Sequence, residues 1–359
     1  MTTTSADAAR PARPLSRGRK ALFASIALTV GLVIAFGFAE VALRVLNRGG
    51  RPPAPTTPQV SHDPTTERDP ARYWACREGS YVLPPLVPGG PEIHETVLAG
   101  GRRATEKSPR PGRPIVALLG CSYTHGVGLS DEETYAWKLQ DAFPEVEIRN
   151  YGTPGYGTYQ CLLTLEGLFQ GPETDRPALV LHGYIWFHPW RNIASSQWLR
   201  SILKFREDGG REFGEVPFCT LEEGQLRRHE PDHFRMLPGG AQLETVGLLE
   251  SAYNRLRCRG REKQYRTVTD ALLIAMKELC EKNKAGFVDI VLTADEAAVE
   301  RETAFGASHG IEVVNVSHFP MRPEWELVGD PHPNGVLNTL WAEEIGRALG
   351  DRFRSLAPR

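Results

Sequence analysis

The stretch Ile115-Val116-Ala117-Leu118-Leu119-Gly120-Cys121-Ser122-Tyr123-Thr124-His125-Gly126 decides the fold. A short continuous apolar run that stops at a glycine reads as a strand buried on both faces. In a sheet of such strands, ligands bind outside the carboxyl ends. Ser122 stands at that end, beside a turn whose free N–H groups favour developing negative charge, and so is placed for nucleophilic attack. The flanking glycines let backbone approach a ligand closely. Taken alone, a serine after a strand is more often a helix cap.

Four further apolar runs follow: Val146–Asn150, Ala178–Trp186, Phe287–Leu292 and Ile311–Val316. Helical patterns lie between them. Ser130 with Glu133 makes a capping signature and predicts a helix from Asp131 to about Phe143. Leu272, Leu273, Met276 and Leu279 give helical spacing to residues 267–282. A last helix is predicted over residues 334–349, its stripe formed by Val336, Leu337, Leu340, Trp341, Ile345 and Leu349, with Gly350 ending it. Buried strands alternating with helices predict a three-layer α/β/α fold around a five-stranded, mostly parallel, flavodoxin-like sheet. This domain is expected over residues 114–359. Residues 73–113 read as a small strand-rich preface. Residues 190–262 form a polar insertion with the cluster Arg227, Arg228 and His229. A structureless loop of that length is unusual, so the insertion is expected to shape a substrate cleft.

The N-terminal part is of another kind. Residues 21–39 carry no charge, and the apolar character resumes after Glu40 as far as Leu46. About 20 helical residues cross a bilayer core, so residues 21–46 read as one transmembrane helix. Glu40 belongs near an interface, where Arg44 can meet it on one helix face. Arg10, Arg13, Arg17, Arg19 and Lys20 fill a basic tail, residues 1–20, which the positive-inside rule keeps in the cytoplasm. The rest of the chain is then extracytoplasmic, anchored at the cell membrane. A cleaved signal peptide is the competing reading; the length of the run and the lack of a small-x-small site favour the anchor. Residues 47–72 are rich in proline and threonine and read as a semi-rigid linker.

Composition narrows the function. Hydrophobic residues make up 41% and charged residues 24%, and 42 basic against 44 acidic residues give no reason for a nucleic-acid partner. The six cysteines form no C-x-x-C pair, and no His and carboxylate cluster has metal-ligand spacing, so neither a metal nor another cofactor is expected. Most of the cysteines read as small buried apolar residues, with room for a bridge or two in an oxidising compartment.

A second chemical element is Gly329-Asp330-Pro331-His332-Pro333. A hydrolytic serine needs a base, and the base needs an acid to fix its tautomer. His332 and Asp330 can supply both from one loop, although an Asp before a helix is also an ordinary cap.

Three ordered segments change the odds: Gly120-Cys121-Ser122-Tyr123-Thr124-His125-Gly126, Asn150-Tyr151-Gly152-Thr153-Pro154-Gly155-Tyr156-Gly157 and Asp330-Pro331-His332-Pro333-Asn334. Together they resemble the blocks of the SGNH (GDSL-type) hydrolase family over residues 114–349 without the insertion, and most resemble bacterial members with one N-terminal transmembrane helix. The resemblance implies Ser122 as nucleophile, Asp330 and His332 as acid and base, and the N–H groups of Ser122 and Gly155 as oxyanion donors. Two positions depart from the family pattern. Cys121 replaces the usual Asp before the nucleophile. After the third strand, Gly183-Tyr184-Ile185-Trp186-Phe187 puts Phe187 near the place of the oxyanion Asn. A reshaped loop would be needed for His188 or Asn192 to donate instead. His125 and His188 are further candidates for contact with substrate.

The implied function is ester hydrolysis on O-acyl groups of carbohydrate or cell-envelope substrates. One alternative is O-acyl transfer to an envelope or exported polysaccharide, with Trp186 just before the insertion and Trp190 and Trp198 within it flanking an acceptor groove. Another is a non-catalytic carbohydrate-binding or scaffold protein on the same fold.

Overall fold

The computed structural model describes residues 16–46, 65–108, 110, 112–205, 211–240 and 242–356. Most of the basic tail and the greater part of the Pro-rich linker lie outside these residues. In chain order the elements are α1 (Arg17–Val45), β1 (Thr66–Asp69), β2 (Tyr73–Cys76), β3 (Gly79–Leu83), β4 (Ile93–Leu98), β5 (Arg102–Arg103), β6 (Ile115–Leu119), α2 (Ser122–His125), α3 (Tyr135–Ala142), β7 (Glu147–Asn150), α4 (Thr158–Gln170) and β8 (Leu179–Ile185). They continue with α5 (His188–Asn192), α6 (Ser196–Ser201), β9 (Leu203–Phe205), β10 (Arg211–Phe213), β11 (Val216–Glu222), β12 (Gln225–Asp232), α7 (Glu244–Glu262), α8 (Tyr265–Lys282) and β13 (Gly286–Thr293). Last come α9 (Glu296–His309), β14 (Glu312–Asn315), β15 (Glu326–Leu327), β16 (Asp330–Pro333) and α10 (Gly335–Leu356).

The chain divides into two units, residues 1–54 with 235–253, and residues 55–234 with 254–359. In the first, α1 is exposed along nearly its whole length, and Glu40 is its one buried residue. The Glu40 carboxylate accepts from the N–H groups of Glu244 and Thr245 and from the Thr245 hydroxyl, each at 2.9 Å. It thereby caps the start of α7, whose first N–H groups have no partner within the helix. Arg44 donates to Glu40 at 2.7 Å, the pairing expected from their spacing, and to the Gln242 carbonyl at 2.7 Å.

In the second unit the predicted parallel strands are all present, in the order β14-β13-β8-β6-β7. The sheet does not stop there. Strands β5, β4 and β3, from the stretch read as a separate preface, continue it antiparallel to make eight strands. The expectation of five strands is corrected accordingly: β5 is only two residues long and carries two arginines, so no apolar run announces it.

The alternation of β6 feeds both faces. Val116 and Leu118 pack with Leu139 of α3 and with Leu337, Trp341 and Ile345 of α10. Ala117 and Leu119 pack with Leu162 and Leu165 of α4 and with Leu272 and Met276 of α8. From β6 the chain first pairs β7 on one side, then returns to lay β8 on the other. The strand order therefore reverses at the carboxyl end of β6, the switch point where such sheets open a crevice.

The insertion is structured, holding α6, the hairpins β9–β10 and β11–β12, and α7. The β11–β12 turn has Glu223 and Gly224 at φ 51° and 80°, as a tight two-residue hairpin loop demands. The predicted helix from Asp131 begins as a single 3-10 turn, Asp131–Glu133, and only from Tyr135 is it α. The capping signature is real, with Glu133 accepting from the Ser130 N–H at 2.8 Å, but it closes the short turn.

Candidate functional site

Ser122 opens the single turn α2 directly after Gly120 and Cys121. It is largely buried, 6% exposed. As the first residue of the turn, its N–H has no intrahelical partner. Gly120 is required there: a Cβ would lie 2.1 Å from Thr124 Oγ1. The turn ends at Gly126, at φ 84°, whose N–H returns to the Ser122 carbonyl at 2.9 Å.

Two groups outside the turn fix it. Asn150, at the end of β7, donates to the Thr124 carbonyl at 2.8 Å and accepts from Gly152 N–H at 2.9 Å, joining the first and second blocks. Arg103 of β5 is wholly buried and donates to the carbonyls of His125, Gly126 and Leu129, and to Asp131 at 3.0 Å. Sequence reasoning passed over Arg103, because an arginine on a two-residue strand carries no pattern.

The second block continues through Thr153, whose N–H reaches the Gly120 carbonyl at 3.1 Å. Gly155 follows at φ 85°, with no bond to its N–H among the described residues. A Cβ there would lie 3.3 Å from Trp74 and 3.5 Å from Trp198, so two indoles wall this stretch of backbone. Trp74 also donates to the Pro154 carbonyl at 2.8 Å.

Asp330 and His332 lie on β16, which pairs with β15. Asp330 Oδ1 meets His332 Nδ1 and accepts from the His332 N–H at 3.0 Å. This bond from His332, against the opposing effect of burial, holds the Asp330 carboxyl below its ordinary range. With Nδ1 committed to the carboxylate, Nε2 is the ring nitrogen left to exchange a proton. Asn334 caps α10 by accepting from Val336 and Leu337 N–H at 3.0 and 3.2 Å, which sets where the loop ends.

Tyr123 joins the two ends. Its hydroxyl donates to the Pro331 carbonyl at 3.1 Å, and its ring lies 5.4 Å from that of His332. Burial pushes the phenol up to about 12, so it stays protonated as a donor. The residue after Ser122 is thus bonded to the residue before His332.

The other candidates are placed differently. His125 is 1% exposed, with Nδ1 3.0 Å from the Gly152 carbonyl and Nε2 3.0 Å from Glu95, so a substrate contact for it is corrected to a structural one. Burial alone would lower His125, but Cys76 and Glu95 push it up to about 10. Burial alone would raise Glu95, but His125 and Arg103 hold it below its ordinary range. Asn192 is spent at both ends, accepting from Tyr159 N–H at 3.0 Å and donating to Thr269 Oγ1 at 2.9 Å, and so is corrected as an oxyanion donor. His188 is fully buried against the rings of His182 and Tyr184, with both nitrogens unpartnered. Burial, with His182 and Arg191 nearby, keeps it well below its ordinary value and so neutral. Its enclosure corrects the expectation that it meets substrate. Of the three tryptophans, Trp190 stacks on Tyr265 at 4.3 Å, Trp198 borders Gly155, and Trp186 is half exposed.

No family model matches the chain, and no curated protein matches it. Solved structures similar to it include a putative lipolytic protein of the G-D-S-L family from Desulfitobacterium hafniense, 12% identical with a TM-score of 0.37, covering 66% of this chain and all of that one. The psychrotrophic esterase EstA from Pseudoalteromonas sp. is 12% identical with a TM-score of 0.38, covering 67% and 98%. The SGNH-hydrolase family esterase AlinE4 is 16% identical with a TM-score of 0.34, covering 70% and 100%.

Proposed function

We propose that this chain is a membrane-anchored, extracytoplasmic serine esterase that works through an acyl-serine intermediate on O-acyl groups of carbohydrate or cell-envelope substrates. The observation that carries the reading is the Tyr123–Pro331 bond, which ties the turn bearing Ser122 to the loop bearing the Asp330–His332 pair.

In the reaction, Ser122 Oγ bonds to the ester carbonyl carbon while His332 Nε2 takes the hydroxyl proton. Asp330 stabilises the imidazolium that forms. The carbonyl oxygen, now an anion, faces the N–H groups of Ser122 and Gly155. Collapse breaks the bond to the alcohol oxygen, which receives the proton from His332. Water then repeats the sequence on the acyl-serine, releasing acid and free Ser122.

Support for the anchor comes from α1, which at about 1.5 Å per residue exceeds a bilayer's apolar core and exposes its apolar side chains. The basic residues before it argue for a cytoplasmic N-terminus. Acyl transfer to a sugar is the second reading, favoured by Trp74 and Trp198 flanking Gly155, where an acceptor ring could stack.

The test is fluorophosphonate labelling of the full chain in detergent, with Ser122→Ala and His332→Ala beside it. Labelling lost in Ser122→Ala and weakened in His332→Ala is expected. A folded parent that resists the probe rejects the esterase in favour of a binding protein. Acylated sugar in the products, with an acceptor present, would select transfer over hydrolysis.

A further inference from the structure

The oxyanion site has two backbone donors and, with Asn192 committed elsewhere, no carboxamide to add a third. The side chain one residue earlier is differently placed. Arg191 of α5 donates through Nη1 to the carbonyl of Tyr156 at 2.8 Å, on the Gly157 side of that residue. Its guanidinium lies over the Trp198 ring, 4.6 Å from the centroid, and 5.6 Å from that of Phe187. Trp198 is the same indole that lies 3.5 Å from the Cβ position of Gly155. Gly155, Trp198 and Arg191 therefore form one contiguous group.

Among the described residues Arg191 has no counter-ion: no carboxylate pairs with it, its Nε is buried without a partner, and only Nη1 donates a hydrogen bond. A partly buried cation without a counter-ion is costly, and arginine's fixed fork of donors suits a planar or tetrahedral oxyanion. Its positive charge opposes the upward effect of burial on the phenol of Tyr123, the neighbour of Ser122.

Resting on the serine-esterase reading, we propose that Arg191 is the third oxyanion donor, its guanidinium bonding the tetrahedral intermediate where the related enzymes present an asparagine. A cation there also favours esters whose acyl or alcohol part is anionic over neutral ones of the same size.

The test measures kcat and KM for p-nitrophenyl acetate with the full chain in detergent, for the parent, Arg191→Ala and Arg191→Gln. A donor used only in the transition state predicts a fall in kcat of about 100-fold to 1000-fold, with KM within about threefold. Free guanidinium at non-denaturing concentration should restore part of the kcat of Arg191→Ala, and the fall in kcat with KM kept is what a merely structural bond to Tyr156 would not give. Arg191→Gln keeps much of the length and loses the charge, so it decides the matter if Arg191→Ala fails to fold. Unchanged kcat in a folded variant, or a loss that guanidinium leaves untouched, overturns the assignment alone. A parent with neither turnover nor fluorophosphonate labelling overturns the esterase reading and this assignment with it.

Discussion

The Tyr123 hydroxyl donates to the carbonyl of Pro331 at 3.1 Å, so residues 208 apart in the chain are bonded one position away from Ser122 and His332 respectively. Tyr123 is braced from behind by Trp341 of α10, whose ring is stacked at 6.3 Å. The loop after β15 is thus held against the turn after β6 from two directions. Tyr123→Phe keeps the ring and removes the bond. A bond of this kind is worth about 1 kcal/mol, so kcat should fall about fivefold. Steady-state kinetics with fluorophosphonate labelling rates check it, and an unchanged labelling rate would mean that Trp341 packing alone positions the loop.

Gly155→Ala should damage chemistry more than stability. Its φ of 85° suits glycine, and the added methyl would crowd Trp74 at 3.3 Å. The strain is on the order of 1 kcal/mol, but a shifted peptide withdraws an oxyanion donor and should lower kcat about 100-fold. The comparison of kcat with thermal midpoint tests this, and equal, small losses in both would count against an oxyanion role.

The Glu95–His125 pair sets a pH dependence of stability. Glu95 is held below its ordinary 4.5, so its contribution is present above that value and is lost as pH falls through the lower folded value. His125 is raised from 6.5 to about 10, so its contribution is complete below pH 6.5 and is lost as pH rises through about 10. Glu95→Gln should cost roughly 3–5 kcal/mol near neutrality, because it strands a buried cation, and should move the alkaline decline to lower pH. Thermal midpoints across pH 4 to 10 measure it, with superimposable parent and variant profiles as the contrary result.

In the first unit, Glu40→Ala should uncap α7. The loss is read as faster amide hydrogen exchange at Glu244 and Thr245. Exchange unaltered at both amides would show that the carboxylate does not hold them.

The parts of this molecule that were legible in the sequence are those with periodicity or unusual spacing. Five buried strands announced themselves because parallel strands covered on both faces must be apolar throughout. The contact between Asp330 and His332 was legible because two residues on one loop need no knowledge of topology. What escaped was set by tertiary contact. Arg103 looks like a surface arginine until β5 is seen to pair with β7 beside the Ser122 turn. Tyr123 reads as a core aromatic, and its partner carbonyl has no identity in a sequence. Asn192 and Arg191 are neighbours on one short helix, and a rotation of about 100° per residue sends one into the packing and the other to the carbonyl of Tyr156.

All six cysteines are buried and unpaired. Nothing in the chain is cross-linked, so the thiol–disulfide poise of its surroundings has no bond to make or break in holding the fold. The same polypeptide should mature equally well in a reducing or an oxidising compartment. On the proposed anchoring, the charges flanking α1 would set the orientation, and a topology reporter fused to the C-terminus would read it without a demand for oxidation.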